Sequence, residues 1–273
     1  MTMRLYHISD LHITNGDKLA TVDPAGRDEL VARLLGVIYT RHFQAPGVHL
    51  LVTGDLVDNA TEQQYAKVSR LLEPFVGHLS CVPGNHDVAR LGNFFDPESL
   101  DRWRRYIKPL CTGTPDATSH VPTHTGLLFG GEQCRVIGLN SNMYTTGDFA
   151  CGELGEDQRN ALLDMLNQSA FNQWTTIVML HHRPFGLDWP IASAMRLKDA
   201  SRFIEIVDGV ADAVLYGHTG GGVELPFGVP THAFEEVRGT QHLDANQCVS
   251  TQSYFELRIE ASVCTITQLR CPA

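Results

Sequence analysis

Five short apolar runs in this chain each give way to Asp, Asn or His, and that repetition restricts the fold more than any other feature. Cys81-Val82-Pro83 leads into Gly84-Asn85-His86-Asp87, which puts an amide, an imidazole and a carboxylate on one tight turn. Leu5 to Ile8 runs into Ser9-Asp10-Leu11-His12, and Leu50 to Thr53 into Gly54-Asp55. Farther on, Ile177 to Leu180 ends at His181-His182, and Ala213 to Tyr216 at Gly217-His218. Open α/β sheets place their sites just beyond the carboxyl ends of their strands. Taken singly, Asp10 or Asp55 reads as a turn or cap former and His218 as a packed histidine. Together, they predict strands whose polar ends converge on a metal site.

Between these runs the apolar spacing becomes helical. After a polar loop from Thr14 to Gly26, Glu29, Leu30, Val31, Leu34, Leu35, Val37 and Ile38 form a stripe that ends before Pro46. His49 to Thr53 reads as a strand, and Thr61 with Gln64 as a reciprocal cap opening a helix through Leu71, Leu72 and Phe75. Leu79 to Val82 completes a βαβαβ order, which implies parallel strands with right-handed crossovers. Pro97 to Leu110 is an amphipathic helix bearing Arg102, Arg104, Arg105 and Lys108. These form either a solvated face or, for one arginine, a lean toward substrate phosphate over the metal site.

Leu127 to Phe129 and Arg135 to Leu139 flank Gly130-Gly131-Glu132, predicting a hairpin with a loop longer than two residues, where a second, more antiparallel sheet begins. Glu153 to Leu166 and Lys198 to Val210 read as helices, Thr175 to Leu180 and Ala213 to Tyr216 as strands. Tyr254 to Ile259 and Val263 to Leu269 alternate around Glu260-Ala261-Ser262, a half-exposed hairpin (254–269) expected to close the second sheet. With no internal repeat and no Pro/Ser-rich linker, residues 1–273 read as a single domain.

Of the 273 residues 43% are hydrophobic, enough for a sizeable core. The formal net charge of -10 disfavours nucleic acid as a partner, because gripping its backbone requires a basic surface. Small anions still fit, since a metal ion supplies local positive charge. The seven scattered cysteines, with no Cys-x-x-Cys pair, read as reduced thiols of a cytoplasmic protein. No run of about 18 apolar residues occurs and Met1 to Asp10 go directly into a strand pattern, so neither export nor membrane insertion is expected.

Asp, His and Asn at loop starts are hard to borderline donors, suited to Mn, Fe or Zn rather than to soft thiolate sites. A carboxylate bridging two such ions holds them about 3.5 to 4 Å apart, a spacing that serves to activate water and hold a phosphoryl oxygen. Hydrolysis of a phosphate ester is the chemistry this donor set suggests.

In order along the chain, Asp10-Leu11-His12, Gly54-Asp55, Gly84-Asn85-His86-Asp87, His181 and Gly217-His218-Thr219-Gly220 resemble the motif series of the calcineurin-like metallophosphoesterase superfamily. That series is Asp-x-His, Gly-Asp, Gly-Asn-His-Asp/Glu, His and Gly-His-x-His. The cyclic nucleotide phosphodiesterase-like (class III) enzymes look nearest, on the opening Asp10-Leu11-His12 and on Ile137-Gly138-Leu139-Asn140-Ser141 followed by Gly152-Glu153-Leu154-Gly155. Asn140 stands where those enzymes commonly carry Asp.

The resemblance implies an α/β fold, a four-layer α-β-β-α sandwich of two mixed sheets, and a metal-dependent phosphoesterase with two divalent ions. Asp10 and His12 would bind the first metal, Asp55 would bridge, and Asn85, His181 and His218 would hold the second. His182 is the competing choice beside His181. His86 would be the general acid and Asp87 its orienting partner, with Asn85 and Arg183 facing substrate; a surface salt bridge is the competing reading of Arg183. The reaction implied is attack of a metal-bound hydroxide on a small phosphomonoester or phosphodiester, a diester such as a cyclic nucleotide being favoured. A homodimer is compatible with the resemblance.

The sequence departs from the series at Gly220, where the family has a histidine ligand of the first metal. Three consequences are open: a weak first metal, a replacement ligand such as His232 or Asp58, or a one-metal site with poor activity. The expectation is a weakened first site that fills when metal is abundant. The alternative function is a phosphate- or nucleotide-binding protein that keeps part of the metal site without turnover, although a pure binder has no need of an acid at His86. Phe94, Phe95 and Tyr144 could stack on a nucleobase or simply pack.

Overall fold

The computed structural model of the chain describes residues 1–22, 26–117, 121–142, 151–185, 195–218, 234–237 and 239–272. Strands β1 (Met3–Ile8), β2 (Val48–Val52) and β3 (Leu79–Cys81) lie side by side in parallel, connected by α1 (Arg27–His42) and α2 (Glu62–Leu72), as the βαβαβ pattern predicts. Every residue of β2 is buried, as expected of a central strand covered on both faces. Thr61 caps α2 by accepting the Gln64 backbone N–H at 3.4 Å. The Gln64 side chain does not reciprocate, and accepts the Asn59 N–H at 2.7 Å instead.

After β3 come a single helical turn, α3 (Asn85–Val88), and a two-stranded hairpin of β4 (Ala89–Arg90) and β5 (Phe94–Phe95). The amphipathic helix is α4 (Pro97–Tyr106), followed by a 3-10 turn at Lys108–Leu110. Its basic residues do not reach over the metal site. Arg102 pairs with Glu98 and Asp96, Arg104 with Asp101 and Asp116, Arg105 with Glu62, and Lys108 with Asp116. Acidic partners on or capping α4, at the start of α2 and at Asp116 in the loop before β6 already satisfy these charges.

β6 (Thr123–Phe129) and β7 (Glu132–Gly138) form the predicted hairpin, but its loop is only Gly130-Gly131, since Phe129 faces Glu132. Both glycines have positive φ, 61° and 94°, which the two-residue turn needs to match the strand twist. α5 (Gly155–Leu166), β8 (Thr175–Met179), α6 (Ala200–Val207) and β9 (Ala213–Tyr216) follow, then β10 (Phe234–Val237) and β11 (Thr240–Asp244). This second sheet is mixed, with order β10-β11-β9-β8-β7-β6.

Alternation along its strands divides the core. Val136, Ile177, Met179, Ala213 and Leu215 pack into the cluster shared with the first sheet and the α1 and α2 side chains. Their neighbours Ile137, Val178, Leu180, Val214 and Tyr216 face the other way, onto Leu162 of α5 and Phe203 of α6. The result is the four-layer α-β-β-α sandwich.

One expectation is overturned. The last hairpin, β12 (Ser253–Glu260) with β13 (Val263–Arg270), joins the first sheet and not the second, in the order β13-β12-β1-β2-β3. β12 runs antiparallel along the edge of β1 that β2 leaves uncovered, pairing from Met3↔Ile259 to His7↔Phe255. The backbone groups of that edge, on a strand buried almost throughout, need a hydrogen-bonding partner.

Candidate metal centre

The loops that leave β1 and β2 stay hydrogen-bonded to each other beyond the strands. Asp10 N–H donates to Gly54 O at 3.1 Å, His12 N–H to Asp55 O at 2.8 Å and Ile13 N–H to Leu56 O at 3.1 Å. In that frame Asp10, His12 and Asp55 have left-handed backbone, with φ of 56°, 46° and 52°, and His218 lies at 84°. Such φ values on residues with side chains store strain of order 1–3 kcal/mol each, and the surrounding hydrogen bonds over-determine them. Close approach also requires two glycines: a Cβ on Gly84 would lie 2.2 Å from Asp55 Oδ1, and one on Gly217 2.2 Å from Asp10 Oδ2.

The centre is organised by Asp55. Its Oδ1 accepts the His86 backbone N–H at 3.0 Å, which aims Oδ2 between two imidazoles, 3.4 Å from His12 Nε2 and 3.3 Å from His181 Nε2. Asp10 Oδ1 lies 3.8 Å from His12 Nε2, and both Asp10 oxygens accept the His218 backbone N–H. On the far side His181 Nε2 is 3.1 Å from Asn85 Oδ1 and 3.1 Å from His218 Nδ1.

The histidines are set by their other nitrogens. His12 Nδ1 donates to Asp58 Oδ1 at 3.2 Å, His181 Nδ1 to the Thr53 carbonyl at 2.7 Å and His86 Nδ1 to the Asp58 carbonyl at 2.7 Å. Such partners fix tautomer and ring orientation, as they do behind metal-ligating histidines. With Nδ1 donating, Nε2 of neutral His12 and His181 each carries a lone pair toward Asp55.

Buried carboxylates and imidazoles therefore converge, and the carboxylates call for positive charge among them. Burial opposes charge on His12, yet Asp10, Asp58 and Asp55 drive it up to about 10; His181 is likewise pushed up to about 9, chiefly by Asp55. Burial works against the Asp55 charge too, but His181 and His86 hold that carboxyl well below its usual range. His218 goes the other way, down to about 3, through burial and the neighbouring His181. The site asks for one cation on each side of Asp55. His12 Nε2 and His218 Nε2 are buried and make no hydrogen bond among the described residues. The residues present fit a pair of divalent ions.

Three expectations change here. Asp87 does not orient His86: its Oδ1 accepts the N–H groups of Leu56 and Val57 at 2.9 and 3.2 Å, and its Oδ2 that of Gly84 at 2.9 Å. As the third residue of α3 it folds back on the start of its own turn and ties it to the Asp55 loop. Arg183 is only 6% exposed, and its charge meets Asp244 at 3.2 Å. Asp58, one of the candidate replacement ligands, stands behind His12 instead. Of the two adjacent histidines, His181 turns its Nε2 to Asp55, while His182 Nδ1 lies 2.8 Å from Ser141 Oγ and its ring packs 4.3 Å from that of His218. Phe94 is 65% exposed on the β4–β5 hairpin. Gly220, His232 and Tyr144 lie outside the described residues.

Sequence reasoning missed Arg27, which donates to the carbonyls of Asp10 and Leu11, and the Thr53 carbonyl behind His181. A backbone acceptor leaves no residue-type signal, and Arg27 sits in a polar loop-to-helix junction that resembles any other.

Fold and donor set together define a metal-dependent phosphohydrolase. The profile of the calcineurin-like phosphoesterase family matches residues 3–221, and the chain belongs to that family. It is 28% identical over 250 residues to the "Probable cyclic nucleotide phosphodiesterase" of Rhodococcus erythropolis, covering 88% of this chain and 72% of that protein. It is 27% identical over 248 residues to a cAMP/cGMP dual specificity phosphodiesterase of Mycobacterium tuberculosis, covering 88% and 69%. Among solved structures, a dimetal phosphatase from Danio rerio superposes with a TM-score of 0.57 at 13% identity, over 97% of this chain and 98% of that one. A 5'-nucleotidase precursor from Thermus thermophilus gives 0.53 at 14% identity, over 99% of this chain and 54% of that one. This chain thus spans about half the length of that nucleotidase. Among the described residues no helix is long and apolar enough to cross a membrane.

Proposed function

We propose that the chain is a phosphodiesterase for a small phosphodiester, a cyclic nucleotide being the preferred class. The observation that carries the reading is the position of Asp55 Oδ2, within 3.4 Å of His12 Nε2 on one side and 3.3 Å of His181 Nε2 on the other. A carboxylate so placed can bridge two ions. Asp10, His12 and Asp55 would hold the first, and Asp55, Asn85, His181 and His218 the second. When bound, such ions supply Lewis-acid charge for the phosphoryl oxygens and lower the pKa of water.

The remaining chemistry belongs to the chain. His86 keeps its Nδ1–H on the Asp58 carbonyl whether or not Nε2 is protonated, so Nε2 can deliver a proton to a leaving oxygen and return to a stable neutral tautomer. One Asn85 Nδ2 hydrogen is committed to the Gly92 carbonyl at 3.0 Å, and the second can donate to a phosphoryl oxygen. Substrate class is supported by relatives named for cyclic nucleotides.

The test is hydrolysis of bis-p-nitrophenyl phosphate, p-nitrophenyl phosphate and 3',5'-cyclic AMP by metal-stripped protein, with Mn, Fe(II) or Zn added back. Metal-restored cleavage of the diesters above the monoester is expected. Metal binding without turnover of any of the three would replace the enzyme by a phosphate- or nucleotide-binding protein.

A further inference from the structure

The hairpin tip after the Gly84-Asn85-His86-Asp87 turn touches two of the proposed working side chains. The Gly92 carbonyl accepts Asn85 Nδ2 at 3.0 Å. A Cβ built on Gly92 would lie 2.5 Å from Asn85 Nδ2 and 2.5 Å from His86 Nε2, so bare backbone forms this wall. Its φ of +68° is one that residues with side chains rarely adopt.

The tip is anchored from outside. Leu91 N–H donates to Asn59 Oδ1 at 2.9 Å. Asn59 is 5% exposed, and its Nδ2 donates to Asp17 Oδ2 at 3.0 Å and to Leu19 O at 3.2 Å. Its backbone N–H goes to Gln64 Oε1 at 2.7 Å, and Gln64 Nε2 in turn donates to Thr14 O at 3.2 Å. One amide therefore joins the three loops that follow β1, β2 and β3, which carry Asp10 and His12, Asp55, and Asn85 and His86.

We infer that Gly92, seated by Asn59, is the positioning residue for Asn85 and His86. The two ends of an Asn amide are nearly equal in size but opposite in chemistry. A carbonyl at Gly92 accepts only N–H, so Nδ2 turns to it and Oδ1, the end with lone pairs for a cation, turns to His181. The missing side chain keeps His86 Nε2 open to a leaving group. This inference rests on the metal and acid roles proposed above.

Cobalt(II) titration followed by visible absorption tests it in wild type, Gly92→Ala, Asn59→Ala and Gly77→Ala, with thermal unfolding and bis-p-nitrophenyl phosphate kinetics on the same proteins. Gly77 has a φ of +78° and nothing within 4 Å of a built Cβ, so its variant carries the backbone penalty alone. The expected result is one cobalt equivalent weakened about 10- to 100-fold in Gly92→Ala and in Asn59→Ala, the usual range for lost ligand support. That equivalent's absorption band changes, kcat falls more than KM rises, and Gly77→Ala keeps wild-type binding and activity. Both equivalents binding as in wild type with unchanged bands, in variants that melt cooperatively, would overturn the inference alone. Should Gly92→Ala not fold, Asn59→Ala, which leaves the Gly92 backbone chemistry intact, decides it. Wild-type protein that takes up no cobalt would overturn the metal reading itself and this inference with it.

Discussion

His86 donates its Nδ1–H to the backbone carbonyl of Asp58 at 2.7 Å, so the imidazole is oriented by main chain and not by the neighbouring carboxylate of Asp87. Asp58 then serves twice, because its side chain also takes the Nδ1–H of His12 at 3.2 Å. A single residue, three positions after Asp55, thereby sets the direction of two histidines. Replacing His86 by Ala should lower kcat by about 10²- to 10⁴-fold on a diester with a poor leaving group, the usual worth of a positioned acid. The loss should shrink on p-nitrophenyl esters, whose leaving group needs little protonation. Equal losses on both substrates would take the acid role away from His86.

Asp58→Ala removes the acceptor behind His12 and leaves the Asp58 carbonyl in place. The first metal, with three protein donors among the described residues against four for the second, should bind more weakly in wild type. It should weaken a further 10- to 100-fold in the variant. Manganese titration by calorimetry reads both, and two equally tight equivalents in wild type would end the asymmetry.

For Asp87→Ala the expected effect is on stability. Three backbone N–H groups lose a buried acceptor, and each unsatisfied donor costs about 1–3 kcal/mol, so the urea midpoint should fall steeply. The pH profile of kcat in the surviving folded fraction should stay as in wild type. A profile shifted like that of a His86 variant would restore an orienting role for Asp87.

Arg183→Ala should act the same way. Breaking a buried ion pair by removing one partner typically costs about 3–5 kcal/mol, and Arg183 faces Asp244 at 3.2 Å. Unfolding should register the loss while KM for the diester stays within about twofold, the margin left by a residue that makes no phosphate contact. A KM raised tenfold at unchanged stability would put Arg183 against substrate.

Acid should destabilise the fold through His49, which bonds Ser80 Oγ at 2.9 Å far from the metal centre. Burial lowers its pKa from 6.5 to about 3. Between those values the unfolded chain holds the extra proton, so the contribution is complete above pH 6.5 and is lost as pH falls toward 3. The slope is about 1.4 kcal/mol per pH unit. Urea unfolding at pH 7 and pH 5 should show a smaller drop for His49→Gln than for wild type. Equal drops would mean that His49 is not neutral in the fold.

The donor set was readable because each member stands next to an apolar run in the chain, and strand ends bring such neighbours to one side of a sheet. Asp10, His12, Asp55, Asn85, His181 and His218 all arrive there. What could not be read were partners distant in sequence: the Thr53 carbonyl for His181, Asp244 for Arg183, and the edge of β1 for the last hairpin. Residue type says that a buried guanidinium needs an anion, and says nothing of which one. The alternation of β12 suggested a half-covered strand, whereas all of it but Arg258 and Glu260 is buried in the first sheet.

The sequence by itself determined most of the strands and helices, though not β4, β5, β10 or β11, and the identity of the side chains delivered to the carboxyl ends of the strands, since those follow from local periodicity. Only the tertiary structure decided that one oxygen of Asp55 faces both His12 and His181, that Asp87 supports the turn instead of His86, and that Gly92 closes over Asn85. Those outcomes depend on distances and directions between loops, and a hydrogen bond reads position in space, not position in the chain.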